Sequence, residues 1–377
     1  MKNNGLSGEI LLEMQKEKGK TCVSVIVATH KLSPERQANP IEIKKAIKET
    51  KEYLLHNYKT EEVNSLINSI DELYNQIDFI HVDFGIGFFV SSGVQQLVHF
   101  SFPVTNKIIV GNSFEVRDLL YEMNYALPYY LLLLTEKNAR LFEGRLNKLT
   151  EVKDNNFPQE YIEEYIYEHS VRGTSYSGHA FTKDFEKDKS VMEEIRYSQF
   201  FKKVDALLDN YALHNKSLLL ASVSKELSSF KKVSKHADKI AAKIEGNFTY
   251  NDLLDLENKA WEKYKKVIDG KKVLLLKDYE EKIGTGLGIE GVEEVWKAAK
   301  AGRGYKLLVE KDFKRAGFIA NEDDSRLYLA PPKSEHKILT DAVDDLIETV
   351  VEKNGEIVFM ENDMLWNHHH IALITRY

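Results

Sequence analysis

Gly291-Val292-Glu293-Glu294-Val295-Trp296-Lys297-Ala298-Ala299-Lys300-Ala301-Gly302-Arg303 is the stretch on which the fold turns, together with Tyr305-Lys306-Leu307-Leu308-Val309-Glu310 just after it. The first part alternates apolar and charged residues at helical spacing, which predicts an amphipathic helix over Val292–Ala301 with Gly302 as its C-cap. The second is a short apolar run with a charged end, which predicts a buried strand. Helix, glycine and strand in immediate succession are the signature of an α/β layer. The same alternation continues to the end of the chain. A helix is expected over Asp341–Lys353, stopped by Asn354-Gly355, then strands over Glu356–Met360 and Ile371–Arg376. Residues 269–377 therefore read as a small α/β sandwich.

Working back toward the start, residues 129–268 carry two strongly apolar strands, Tyr130–Thr135 and Ser217–Val223, with a hairpin expected between Ala139 and Glu151 around Gly144-Arg145. Runs that apolar suggest burial on both faces of a sheet. Between them lies Arg172-Gly173-Thr174-Ser175-Tyr176-Ser177-Gly178-His179-Ala180-Phe181, ten residues without an aliphatic anchor, expected as an exposed loop. It leads into a long helix expected over Thr182–Leu213, with Val191, Ile195, Val204, Leu207, Leu208 and Tyr211 at helical spacing. Lysine-rich helices are then expected over Ser224–Lys232 and Ser234–Lys243, and a further one over Asn251–Ile268.

Residues 1–128 read as an α+β segment. A helix (Gly8–Lys18) and a strand (Cys22–Thr29) come first, then a helix from Asn39-Pro40, capped by Asn39, and another over Thr60–Gln76. Three strands are expected next, Ile77–Val82, Gly87–Ser91 and Gln95–Phe100, with turns at Gly85/Gly87 and Ser91-Ser92-Gly93. The whole is an α/β and α+β multidomain chain.

Composition bounds the function. At 377 residues the chain is too long for one ordinary core, so two or three domains are expected. Its net charge is -7, so any contact with nucleic acid must come from local patches rather than from the overall field. The single cysteine, Cys22, leaves no internal disulfide and fits a reducing compartment. The start lacks an apolar signal core and the apolar runs are too short to span a bilayer, so a cytoplasmic protein without a membrane partner is expected.

Four features bear on chemistry. Gly284-Thr285-Gly286-Leu287-Gly288-Ile289-Glu290-Gly291 has the glycines of a phosphate cradle but no Lys-Ser/Thr after it, so a flexible connection is the stronger reading. His368, His369 and His370 are adjacent, so in a strand they would point to alternating faces and could not by themselves enclose a metal; a solvated turn is expected and no metal or cofactor is called for. Lys231, Lys232, Lys235, Lys239 and Lys243 lie within thirteen residues with only Asp238 opposing them, and on a helix many would share one face attractive to phosphate. A solvated helix face is the plain alternative. RNase H-type nuclease chemistry would need clustered carboxylates, and the two apolar strands carry none at their centres.

Three separated stretches resemble one family, the archaeal and eukaryotic class I translation release factors with their relative Pelota, and more closely the bacterial archaeo-eukaryotic release factor group. The helix–glycine–strand segment 291–310 is similar to that of the family's last domain, and Ile371-Ala372-Leu373-Ile374-Thr375-Arg376-Tyr377 resembles its closing strand. The resemblance implies the fold of kink-turn-binding ribosomal proteins for residues 269–377, and an RNase H-like fold for residues 129–268. It also places a Gly-Gly-Gln loop, which promotes hydrolysis of peptidyl-tRNA, where Ser177-Gly178-His179-Ala180 stands. Serine replaces the first glycine and histidine the glutamine. Gly178 and His179 are thus the catalytic candidates for an esterase-type release of peptidyl-tRNA, since histidine both donates and accepts hydrogen bonds and titrates near neutrality. Arg172 and the five lysines are the candidates for RNA contact. Asn39-Pro40-Ile41-Glu42-Ile43-Lys44 occupies the place of the family's Asn-Ile-Lys-Ser codon-reading motif, with a proline and a spacing that break it. The implied partners are the ribosome and tRNA or rRNA, with a translational GTPase as a further one. A factor that keeps the architecture and binds RNA or protein without catalysis is the alternative.

Overall fold

The computed structural model describes residues 8–80, 82–135, 138–161, 195–211, 213, 216–249 and 252–377. The chain forms two compact units, one built from Met1–Ala126 and Lys271–Tyr377, the other from Leu127–Gly270. Helices and sheets are mixed in both.

In the first stretch of the first unit, α1 (Gly8–Lys16) precedes β1 (Cys22–Ala28), then come α2 (Asn39–Asn57), α3 (Thr60–Tyr74), β2 (Gly85–Val90), β3 (Gln95–Phe100), β4 (Lys107–Gly111) and α4 (Arg117–Tyr125). The four strands form an antiparallel sheet in the order β3-β2-β1-β4. Alternate residues of β1 decide which face is covered: Val23, Val25 and Val27 pack with Ile43, Ile47 and Leu54 of α2 and with Val63, Leu66 and Ile70 of α3. The expected strand over Ile77–Val82 is absent from the described part of that range; Ile80 stands exposed there and the strand begins at Gly85. Gly85 and Gly87 lie inside β2 rather than in a turn, because a Cβ at Gly87 would meet the rings of Phe89 and Phe100 at 2.7 and 2.9 Å. Nor does Asn39 cap α2. It is the first helical residue, and its buried amide clamps His30, accepting from the His30 N–H and donating to its carbonyl, both at 2.9 Å.

The second unit holds β5 (Tyr129–Leu134), β6 (Asn138–Arg145), β7 (Lys148–Glu151), β8 (Gln159–Glu160), a helix α5 over 195–207, β9 (Ser217–Ser222), α6 (Ser224–Val233) and β10 (Ile240–Glu245). The main strand order is β10-β9-β5-β6-β7, with β8 pairing on β6. β5, β6 and β7 make an antiparallel meander, while β9 and β10 run parallel to β5. Two parallel neighbours and a cover of helix explain why Leu218–Ala221 are buried without alternation. The hairpin turns at Leu146-Asn147, not at Gly144-Arg145. Gly144 is inside β6, and a Cβ there would fall 2.2 Å from the Tyr129 ring. One helix, α7 (Leu253–Ile283), runs 31 residues through the Gly270–Lys271 boundary, where a break near Asp269 was expected.

The remaining stretch of the first unit contains β11 (Gly288–Glu290), α8 (Val292–Lys300), β12 (Gly304–Glu310), the hairpin β13 (Gly317–Ala320) and β14 (His336–Leu339), α9 (Ala342–Glu352), β15 (Glu356–Met360) and β16 (Ile371–Thr375). The sheet order is β11-β16-β12-β15, with β12 and β15 parallel. Asp341 caps α9, accepting from the Val343 N–H at 3.1 Å. The glycine-rich run supplies β11, and the first turn of α8 carries Glu293 and Glu294, which oppose an anion there. Of the three histidines, His368 meets Glu290 at 3.0 Å and His370 meets the buried Glu310 at 2.7 Å.

The two stretches of this unit are joined by side chains. Arg117, buried on α4, donates to Asp344 at 2.5 Å, to the Phe313 carbonyl at 2.7 Å and to Asp341 at 3.3 Å. Asn124 closes the open edge of β15 as a backbone would: it donates to the Ile357 carbonyl at 2.9 Å and accepts from the Phe359 N–H at 2.7 Å. Tyr125 donates to Glu361 at 2.9 Å and receives the Lys272 ammonium at 2.6 Å. No helix among the described residues is long and apolar enough to cross a membrane.

Candidate functional site

Gly178, His179 and Arg172 lie outside the described residues, so the site is built from what surrounds the 162–194 segment. The chain enters that segment after Tyr161 and leaves it into α5. At this root Tyr161 stacks on Tyr197 of α5, with ring centroids 4.9 Å apart and planes within 16° of parallel. Phe200 meets Tyr161 edge-on at 5.6 Å, and Phe201 meets Phe230 of α6 at 5.9 Å. Phe200, Phe201 and Val204 bury the inner stripe of α5, and Leu208 just after it, in the core formed with β5, β9 and α6. Ile195, expected on that stripe, is about half exposed; the aromatic pair 200–201 carries the packing in its place. Tyr161, before the 162–194 segment, and Tyr197, after it, therefore meet in one aromatic cluster.

The five lysines do not share a helical face. Lys231 and Lys232 occupy the last turn of α6, Lys235 follows in the turn, Lys239 ends the short 3-10 stretch Ala237–Lys239, and Lys243 is on β10 at the sheet edge. The expected helix over Ser234–Lys243 gives way because its second half pairs in a parallel ladder with β9, Lys243 opposite Leu220 and Ile244 opposite Ala221. Tertiary pairing overrides a modest helix propensity. All five lysines are nonetheless exposed. Lys239 pairs with Asp238 at 3.2 Å; Lys231, Lys232, Lys235 and Lys243 have no ion pair among the described residues. The result is a row of ammonium groups from the end of a helix to a sheet edge.

What shapes that row is a node the sequence did not single out. Asp205 of α5 is 2% exposed and accepts from Ser234 Oγ at 2.5 Å, the Lys235 N–H at 2.8 Å and His236 Nδ1 at 3.0 Å. His236 Nε2 meets Asp209, one helical turn on, at 3.0 Å. Burial works against the Asp205 charge, but the hydrogen bonds from Ser234, Lys235 and His236 outweigh it and hold the carboxyl below its usual range. The turn carrying Lys235 and Lys239 is thereby pinned to α5, the helix that issues from the 162–194 segment. Spacing gave no hint of this, since Asp205 and His236 are 31 residues apart. The arrangement is one of positioning: each nitrogen of His236 faces a carboxylate.

Residues 128–303 match the model of bacterial archaeo-eukaryotic release factor family 3, a range that takes in nearly all of the second unit together with β11 and α8. No curated protein matches the chain. Among solved structures it is similar to the archaeal translation termination factor aRF1, at 13% identity over 98% of this chain and 97% of that one, with a TM-score of 0.25. It is also similar to Dom34 of S. cerevisiae, a translation termination-like factor, at 12% identity over 76% and 74% of the two chains and a TM-score of 0.36. Pelota of Archaeoglobus fulgidus aligns at 16% identity over 78% of each chain, with a TM-score of 0.39. Residues 128–303 are thus similar to the bacterial archaeo-eukaryotic release factor family.

Proposed function

We propose that this protein is a release-factor-like translation factor that engages the ribosome and its tRNA or rRNA, in ribosome rescue or in hydrolysis of peptidyl-tRNA. The observation that carries the reading is the family match over 128–303, because that range contains the 172–181 stretch, the helix that follows it and the lysine row. The mixed sheet, a meander continued by two parallel strands, supports taking the second unit as RNase H-like. In this reading the segment rooted at Tyr161 and Tyr197 is what the factor offers to the peptidyl-transferase centre. Gly178 supplies backbone freedom, His179 orients the attacking water, and Arg172 and the lysines meet RNA phosphates. A translational GTPase is the candidate protein partner.

A second reading is favoured by one specific feature: Ser177-Gly178-His179 departs from Gly-Gly-Gln at two of three positions. In it the protein binds the ribosome without catalysis. The two are separated by adding the protein to ribosomes carrying labelled peptidyl-tRNA and comparing it with His179→Ala and Gly178→Ala. Release by the wild-type protein, lost in either variant, supports the catalytic reading. Salt-sensitive co-sedimentation without release supports the second. Neither release nor co-sedimentation would overturn both.

A further inference from the structure

In the first unit a hollow of about 470 Å³ opens between the end of α1 and the C-terminal ends of α8 and α9, and four lysines line it: Lys18, Lys297, Lys300 and Lys353. Three carboxylates pair with two of them, Glu348 meeting Lys18 at 3.8 Å. Glu352 pairs with Lys18, and Asp324 pairs with Lys300 at 2.6 Å. Lys297 and Lys353 are exposed and have no ion pair among the described residues, so their two ammonium groups are open to an anion. In a chain of net charge -7 this recess is a local reversal of the field.

Lysines at helix C-termini often do no more than offset the helix dipole. Here another residue takes that role. Arg376, on the closing Thr375-Arg376-Tyr377, donates to the Gly302 carbonyl at 3.2 Å, the Lys353 carbonyl at 2.8 Å and the Asn354 carbonyl at 2.9 Å. One guanidinium thus serves the ends of both α8 and α9, and the lysines stay available. The recess is also composite, since Lys18 comes from the first stretch of the unit and the other three from the last.

We infer that this hollow binds phosphate groups of a polyanion, and that the source is an RNA backbone, separate from the lysine row of the second unit. The choice of RNA rests on the release-factor reading; the affinity for phosphate does not. The test uses the full chain, a fluorescein-labelled mixed-sequence RNA hairpin, and fluorescence anisotropy over a range of salt. Lys297→Ala/Lys353→Ala should weaken RNA binding about tenfold, and should make the dependence of log affinity on log salt shallower by about 1.4 to 1.8, the share of two phosphate contacts. Lys297→Arg/Lys353→Arg should restore both, which separates charge from folding. Unchanged affinity and slope in the alanine variant would overturn the inference. Inorganic phosphate and a nucleoside triphosphate serve as competitors. Triphosphate binding that depends on these lysines, with RNA binding that does not, would overturn RNA as the source. Lys231→Ala/Lys232→Ala/Lys235→Ala is the control. If only this control loses RNA, the hollow is refuted while the release-factor reading stands. If Lys297→Ala/Lys353→Ala loses RNA while the wild type neither releases peptide nor sediments with ribosomes, the hollow stands and that reading fails.

Discussion

Replacing Asp205 with alanine tests whether the node beneath the lysine row is what shapes it. The carboxylate is buried and accepts from Ser234 Oγ, the Lys235 amide and His236. A hydrogen bond to a charged group contributes about 1.5–3 kcal/mol, but three bonds to one carboxylate are lost together and partly replaced by water. The expected loss for Asp205→Ala is therefore about 3–5 kcal/mol, the range for removing one partner of a buried charged network. Asp205→Asn keeps one acceptor and should lose about half of that. Urea denaturation followed by far-UV circular dichroism measures both. The sign with pH follows from the lowered carboxyl: the contribution is present above the ordinary carboxylate range and is lost as pH falls through the folded value beneath it. The difference between wild type and Asp205→Asn should accordingly shrink toward the acid limit. A loss below about 1 kcal/mol for the alanine variant, with ribosome binding intact, would refute the role assigned to the node.

Two further predictions concern the first unit. Glu122 of α4 is fully buried; burial pushes its carboxyl from 4.5 up to about 7, and its Oε2 has no hydrogen-bond partner among the described residues. A raised folded value means stability that is full below about pH 4.5 and declines through pH 7, by about 3 kcal/mol in all. Glu122→Gln should flatten that decline, measured as urea midpoints between pH 5 and pH 8; an unchanged slope would remove Glu122 as its cause. Arg117→Ala should destabilise by about 3–5 kcal/mol, because Asp341 and Asp344 lose the guanidinium between them, and a urea midpoint within error of wild type would show that this junction contributes little.

Local pattern made some parts of this chain legible and left others hidden. The runs Tyr130–Leu134 and Ser217–Ser222 are legible as strands because they pair with each other inside the sheet and are buried along their length. The helix–glycine–strand from Val292 to Glu310 is set by nearest neighbours and is legible directly, whereas Asp341, expected as the first residue of its helix, is the N-cap. Ser234–Lys243 has a composition that favours a helix while its environment is the edge of a sheet, and no local signal records the partner strand, where Lys243 lies opposite Leu220. Gly87 and Gly144 suggested turns, yet each makes room for an aromatic ring from a neighbouring strand. The candidate site divides the same way. The lysines and the 172–181 stretch stand out by residue type, whereas Asp205, His236 and the Tyr161–Tyr197 stack acquire meaning only when distant residues meet.

The proposed action on the translating ribosome rests on the segment between Tyr161 and Tyr197. Its most direct test is single-turnover release of labelled peptide from ribosome-bound peptidyl-tRNA, wild type against His179→Ala, with co-sedimentation measured in the same samples. Release by wild type that falls at least tenfold in the variant while both sediment equally is the result predicted for the catalytic reading, since positioning a water contributes on that order or more. Wild-type protein that neither sediments with ribosomes nor releases peptide would contradict the account.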